Sequence, residues 1–197
     1  MLEWFLNLDY QLFTLINSQW TNSVFDLFCP LLRNKYIWIP FYVFLFSFFI
    51  INFKRKGWLI IVFMILTVTC ADQISSHVLK PMVKRIRPCN QEILSGNVRM
   101  LVNCSNSYSF PSSHASNHFA AALFLIALFS SRKRWLIVLL VFWAAAISYS
   151  QIYVGLHFPL DVSAGAILGS IIGWTAGRFF LKYAQQIPFT DSVEKNQ

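Results

Sequence analysis

Charge is scarce in this chain. Of its 197 residues 12% are charged, while 56% are hydrophobic and 17% aromatic. That balance excludes an ordinary soluble domain of this size and fits a polytopic membrane protein. Cysteine is sparse too, at four residues. No Cys-x-x-Cys or His-Glu-x-x-His spacing occurs, so no zinc site is expected. A basic start running into an unbroken apolar stretch is also missing. Asp9, Asn17 and Gln19 interrupt the N-terminal segment, so no signal peptide is expected. The net charge of +8 would point to nucleic acid only if the basic residues formed one surface. They fall between apolar runs instead, and that partner is discarded.

What is abundant is long apolar sequence. Runs near 36–53, 57–79, 114–131, 135–152 and 160–182 approach or reach the length needed to cross a bilayer, about 20 residues. The expected fold is an all-α membrane helix bundle of about five transmembrane helices, with N-terminal interfacial helices. Residues 1–35 form the interfacial segment, 36–183 the transmembrane domain and 184–197 a polar cytoplasmic tail. Basic clusters orient it. Lys54, Arg55 and Lys56, then Arg132, Lys133 and Arg134, then Arg178 and Lys182 fall on one side, the cytoplasm by the positive-inside rule. The 80–113 loop, the 151–159 turn and the N-terminus then face outward. That loop is itself basic, through Lys80, Lys84, Arg85, Arg87 and Arg99, against one carboxylate, Glu92. A functional need for positive charge accounts for the excess.

In the N-terminal segment, Leu2, Phe5, Leu6, Phe13 and Ile16 alternate with polar positions at helical spacing, as in an interfacial helix. Thr21-Asn22-Ser23 breaks it, and a second short helix runs to about Leu32. The second span carries Asp72, Gln73, Ser75, Ser76 and His77. These residues either bond between helices or support nearby basic residues. Gly165, Gly169, Gly173 and Gly177 form small-xxx-small steps that favour close helix packing and not a substrate site. Cys89 and Cys104 bracket the outer loop, where a disulfide can persist. Cys29 and Cys70 read as packing residues.

Three short segments at the edges of the apolar runs carry chemistry. Lys80 and Arg87 are seven apart, so a helical segment starting near Pro81 and ending near Pro88 would put both cations on one face, able to clamp phosphate oxygens. Ser109-Phe110-Pro111-Ser112-Ser113-His114 runs into the third apolar segment, where hydroxyls and free N–H groups at a helix start suit an anion. His114 reads as functional and His118, one turn deeper, as structural. His157 and Asp161 are four apart. If Pro159 opens the last helix, Asp161 can hold one imidazole nitrogen and leave the other free as a nucleophile.

In this order the segments resemble the three signatures of the type 2 phosphatidic acid phosphatase superfamily, Lys-x6-Arg-Pro, Pro-Ser-Gly-His and Ser-Arg-x5-His-x3-Asp. They read here Lys80 to Arg87-Pro88, Pro111-Ser112-Ser113-His114, and Ser150-Gln151 to His157 to Asp161. The resemblance covers roughly residues 5–180. It implies that His157 attacks phosphorus to form a phosphohistidine and that Asp161 orients it. His114 serves as general acid and then base. Lys80, Arg87, Ser112 and the 112–114 backbone hold the phosphoryl oxygens. No metal and no other cofactor is implied.

Two positions depart from the pattern. Ser113 stands where the family has Gly, and it keeps the backbone N–H. Gln151 stands where the family has Arg, and it removes a charged fork. That loss costs about 1.5–3 kcal/mol, one or two decades of rate, and Lys84, Arg85 or Arg99 are candidates to compensate. The expected activity is hydrolysis of a lipid phosphate or diphosphate at the outer face of a bacterial cytoplasmic membrane. Undecaprenyl diphosphate is the first choice, by family analogy. Lipid A and phosphatidylglycerol phosphate are the alternatives. The competing class is a non-enzymatic lipid-binding or transport protein.

Overall fold

The computed structural model describes residues 2–94, 96–129 and 134–186. Arg132 and Lys133 of the second basic cluster, the last two residues of the third apolar run, and the tail beyond 186 lie outside the described residues.

Helix α1 (Leu2–Thr14) runs on into a wide π-type turn, Leu15–Gln19. The break falls at Asn22, whose side chain accepts the Phe25 N–H and caps α2 (Ser23–Leu32). In α1 and the turn that continues it, the residues turned to the protein are Asp9, Phe13 and Asn17, each nearly inaccessible, while Phe5 and Leu6 face outward. The apolar face of this helix is its outer face, as for a helix lying against lipid.

Helix α3 (Ile39–Gln73) is two arms in one. Lys54 takes φ 48° and ψ −121°, which no helix accommodates. A Cβ on Gly57 would lie 2.0 Å from the carbonyl oxygen of Phe49, although eight residues of straight helix span about 12 Å. The chain therefore folds back at Lys54, and glycine is required where the arms touch. These arms are the first two expected spans. A wide turn, Ile74–Leu79, and a single helical turn, α4 (Lys80–Val83), continue the second arm.

Three helices follow the outer loop: α5 (Ser113–Phe129), α6 (Arg134–Tyr153) and α7 (Pro159–Gln186). No strand occurs among the described residues. Three stretches are long and apolar enough to cross a membrane, Lys35–Asn90, Arg134–Tyr153 and Pro159–Ala184, the first being the folded hairpin. Helix α5 is apolar but shorter, 17 residues, or about 25 Å. Phe49, Ile60, Met64, Phe124, Leu140 and Phe180 join α3, α5, α6 and α7 in one core. Outward-facing Ile51, Phe142 and Ile167 remain 75%, 69% and 62% exposed, an apolar surface suited to lipid.

Helices α5 and α7 run parallel and pack through the small-residue stripe. A Cβ at Gly165 would lie 2.4 Å from Ser112 O, at Gly169 2.1 Å from Ser116 O, and at Gly173 2.2 Å from Ala120 O. Both helices advance by four residues per contact, so the start of α5 is fixed beside the start of α7. That register brings the second and third sequence segments to one end of the bundle. Cys29 is buried, as a packing residue should be; Cys70 is exposed, so the packing role holds for Cys29 alone.

Candidate active site

The turn between α6 and α7 carries His157, 2% exposed. Gly155, at φ 88°, makes this turn possible. The backbone N–H groups of Leu156 and His157 both return to Gln151 O, at 3.1 and 3.2 Å. Arg87 reaches in from the outer loop. Its Nη1 lies 3.1 Å from His157 Nε2 and donates to Leu156 O at 3.1 Å. Ser107 fixes the other side of the guanidinium, through O to Nε at 2.8 Å and through Oγ to Nη2 at 2.9 Å. Arginine only donates, so Nε2 is the lone-pair nitrogen and Nδ1 carries the proton. Nδ1 faces Asp161 Oδ2 at 3.6 Å, longer than a hydrogen bond. Burial pushes His157 down to about 4, with Asp161 pulling the other way and Arg87 adding to the downward push. The ring is therefore neutral near pH 7.

Asp161 is held from three directions. Its Oδ2 accepts the Phe158 N–H at 2.9 Å and its Oδ1 accepts Arg85 Nη1 at 2.7 Å. Its backbone oxygen accepts the Ser112 N–H at 2.9 Å. The second Arg85 nitrogen pairs with Asp9 of α1, and the Arg85 guanidinium lies over the Phe158 ring, 4.1 Å from its centroid. Asp9 also accepts the Leu160 N–H at 2.8 Å. Its carboxyl is held above the usual range by burial, with Arg85 opposing.

Several sequence expectations need correction. Lys80 and Arg87 do not share a helix face. Helix α4 ends at Val83 because Lys84 turns left-handed, φ 54°, and Arg87 is extended. Both charges nonetheless bear on the His157–Asp161 pair, and that of Arg87 bears on Lys80. The Ser112 N–H, expected to bind phosphate, is spent on Asp161 O, and Ser112 Oγ serves as a weak cap for Ala115 N at 3.5 Å. Ser113 Oγ pairs with Ser76 Oγ at 2.8 Å, a bond the family glycine cannot make. Asp72 accepts from Asn117 at 2.9 Å, so Asp72, like Ser76, bonds between helices, while Ser75 donates back to Asp72 O at 3.1 Å. Two of the compensating cations are committed elsewhere: Arg85 to Asp9 and Asp161, and Arg99 to Asp26, whose carboxyl that pairing lowers to about 2.

Gln151 itself is fully buried, and neither side-chain amide atom has a partner. His114 sits in the first turn of α5, within electrostatic reach of His157. His118 donates from Nδ1 to His114 O at 2.8 Å and packs edge-on against Trp143, the structural role expected of it. A disulfide joins Cys89 to Cys104 across the outer loop.

Asp9 and Ser107 carry no site role in the sequence reading, and Arg85, expected as a compensating phosphate cation, is bound to two carboxylates instead. For Asp9 a signal existed. Asp9 and Asn17 lie eight residues apart with Phe13 midway, two polar residues on the buried face of an otherwise largely apolar segment. Asn17 ties the same face to the loop and the turn, bonding Tyr153 O at 2.8 Å and both backbone groups of Arg99.

The model of the PAP2 superfamily matches residues 57–185, which hold all three segments. The chain belongs to the PAP2 superfamily. It is a multi-pass membrane protein of that family. It is 41% identical over 178 residues to the lipid A 4'-phosphatase of Bacteroides thetaiotaomicron, covering 88% of this chain and 77% of the relative. It is 29% identical over 171 residues to the undecaprenyl-diphosphatase of Sulfolobus acidocaldarius, covering 86% and 77%. The crystal structure of Aquifex aeolicus LpxE superposes with a TM-score of 0.61 at 30% identity, covering 89% of this chain and 96% of that one.

Proposed function

We propose that this PAP2 protein is a membrane lipid phosphatase that removes phosphate from a lipid A-type substrate through a phosphohistidine on His157. The substrate class rests on the 41% identity to a lipid A 4'-phosphatase across most of both chains. Undecaprenyl diphosphate, the first expectation from sequence, takes second place because the relative acting on it is 29% identical.

The chemistry rests on one contact, Arg87 Nη1 against His157 Nε2 at 3.1 Å. It puts a fixed cation beside the lone pair that would attack, where phosphoryl oxygens gather charge. Nε2 attacks phosphorus, a P–N bond forms and the P–O bond to the lipid breaks. His114 gives its proton to the leaving oxygen, yielding the lipid alcohol. It then takes a proton from water, whose oxygen displaces His157 and releases inorganic phosphate. Arg87, Lys80 and Gln151 hold the phosphoryl oxygens, and Asp161 stabilises the imidazolium that forms during transfer. No step is routed through a metal.

Five crossings, from the two arms of α3 with α5, α6 and α7, would place this end of the bundle outside a bacterial cytoplasmic membrane. The basic residues at the opposite end, Lys54, Arg134 and Lys182, favour that orientation.

The test is phosphate release by the detergent-solubilised protein from lipid A, undecaprenyl diphosphate and phosphatidylglycerol phosphate, with His157→Ala as control and EDTA in a parallel set. Release from lipid A that the mutation abolishes and EDTA spares is expected. Preference for undecaprenyl diphosphate would overturn the substrate assignment. Unchanged release by His157→Ala would overturn the nucleophile. Orthovanadate, a mimic of the transferring group, should inhibit an enzyme and leave a simple lipid binder unaffected.

A further inference from the structure

We infer that Arg33 is a phosphate-binding residue of this site, supplying from the N-terminal segment the guanidinium that the third motif lacks at Gln151. The inference rests on the lipid phosphatase reading and names one more group that receives its substrate.

Arg33 is the residue on which α2 ends, its N–H returning to Cys29 O at 3.3 Å. Two sets of contacts place that helix end. On one side Cys29, 3% exposed, packs with Tyr153, Val154 and Leu156, the turn that leads into His157. On the other, Trp38 Nε1 donates to Leu32 O at 2.7 Å, and the Trp38 ring lies 5.7 Å from Trp143. Trp143 in turn lies 5.1 Å from His118, one turn below His114. The end of α2 is thus wedged between the His157 turn and the His114 face of α5.

At that helix end the Arg33 side chain has no ion-pair or hydrogen-bond partner among the described residues. Its Nε is shut off from solvent and makes no hydrogen bond, and no carboxylate among the described residues pairs with it. Its charge bears on both Arg87 and His114, and its backbone carbonyl lies against the His114 imidazole. Gathering unpaired cations in a shielded place costs free energy unless an anion joins them. The other guanidiniums nearby are already committed, Arg85 to two carboxylates and Arg99 to Asp26. Lys80, Arg87 and Arg33 remain to face a phosphoryl group, with the unpartnered amide of Gln151 beside the His157 turn. An arginine at position 33 can supply a planar fork to two phosphoryl oxygens, which Gln151 cannot.

The experiment compares full-length wild type with Arg33→Ala, Arg33→Lys and the double variant Arg33→Ala/Gln151→Arg in detergent. Two quantities are read: kcat and KM for phosphate release from lipid A, and protection against thermal unfolding by orthovanadate. Arg33→Ala should lower kcat/KM and weaken orthovanadate binding about 10- to 100-fold, while its unfolding temperature without vanadate stays near wild type. Lysine should restore part of the loss, and the relocated arginine at 151 most of it. Orthovanadate affinity and kcat/KM of Arg33→Ala within two-fold of wild type would overturn the inference. If wild type releases phosphate from no lipid, the phosphatase reading fails. Orthovanadate protection then decides alone: weaker in Arg33→Ala supports the anion site, while equal or absent in both proteins ends it. Should the alanine variant not fold, Arg33→Gln, which keeps most of the side-chain length, carries the same comparison.

Discussion

Asp9 of α1 and Asp161 of α7 share a single guanidinium, that of Arg85. The three come from the first helix, the outer loop and the last helix, and both carboxylates are fully shielded. The N-terminal segment is thereby part of the end of the bundle that holds the candidate active site. Removing the shared cation leaves two buried carboxylates facing each other without compensation. Arg85→Ala should therefore destabilise the protein by about 3–5 kcal/mol and remove activity with it. Asp9→Asn retains an acceptor for Leu160 N–H and should cost less, with kcat reduced about ten-fold. Thermal unfolding and phosphate release, measured together, check both. Wild-type activity in Arg85→Ala would show that Asp161 needs no such support.

Acid should act on His157 at unusually low pH. Its neutral form is the proposed nucleophile, and burial moves the group from 6.5 down to about 4. Because the folded value is the lower one, the neutral ring is kept as pH falls below 6.5 and lost only through about 4. The acid limb of kcat/KM belonging to this residue should thus lie near 4. Over the same interval stability should decline as pH falls, since the unfolded chain binds the proton first. A limb at 6.5 in the pH–rate profile would count against a desolvated nucleophile.

His114 should matter less for a good leaving group. With p-nitrophenyl phosphate the first step needs no proton donor, but the second still needs a base. His114→Ala should then accumulate phosphohistidine on His157, visible as an acid-labile, base-stable phosphoenzyme after rapid quenching. Failure to see it under these conditions would argue against the two-step assignment.

Gly169 offers a test of the helix register. Its added Cβ would meet the Ser116 carbonyl oxygen at 2.1 Å, and the obstacle is backbone, not a side chain that can swing away. Gly169→Ala should push α5 from α7, separate His114 from Asp161, and cost about 1–3 kcal/mol or more. Activity should fall further than the loss of folded protein explains. A fully active Gly169→Ala would mean that this contact does not set the site.

The Cys89–Cys104 disulfide closes a loop of 15 residues, a constraint worth about 3 kcal/mol. Arg87 lies just before this loop and its anchor Ser107 just beyond it. Cys104→Ser should lower the unfolding temperature and raise KM, as the guanidinium loses its fixed position. Equal KM values for the oxidised wild type and the variant would show that Ser107 alone holds Arg87.

The sequence by itself determined the class of protein, the helix order and the three segments that gather at one end of the bundle. Apolar runs of this length with almost no charge suit helices against lipid, because backbone groups there must bond within their own helix. The Gly165 to Gly177 stripe announced a close helix contact, and the His157–Asp161 spacing announced a shared helix start. The path between motifs was not legible. Lys80 and Arg87 looked like two turns of one helix because nothing local marks Lys84 as the left-handed stop. Local spacing likewise could not show that the Ser112 N–H is taken by Asp161, since that bond joins helices 49 residues apart in the chain.

Charge assignment was decided by tertiary structure alone. Arg85, Arg87 and Arg99 lie in one basic loop and look interchangeable in sequence. Only the fold pairs the first with Asp9 and Asp161, sets the second against His157, and ties the third to Asp26. The physical reason is that a guanidinium's role is fixed by which carboxylate, carbonyl or imidazole lies within about 3 Å. Those partners are drawn from helices that the sequence keeps far apart.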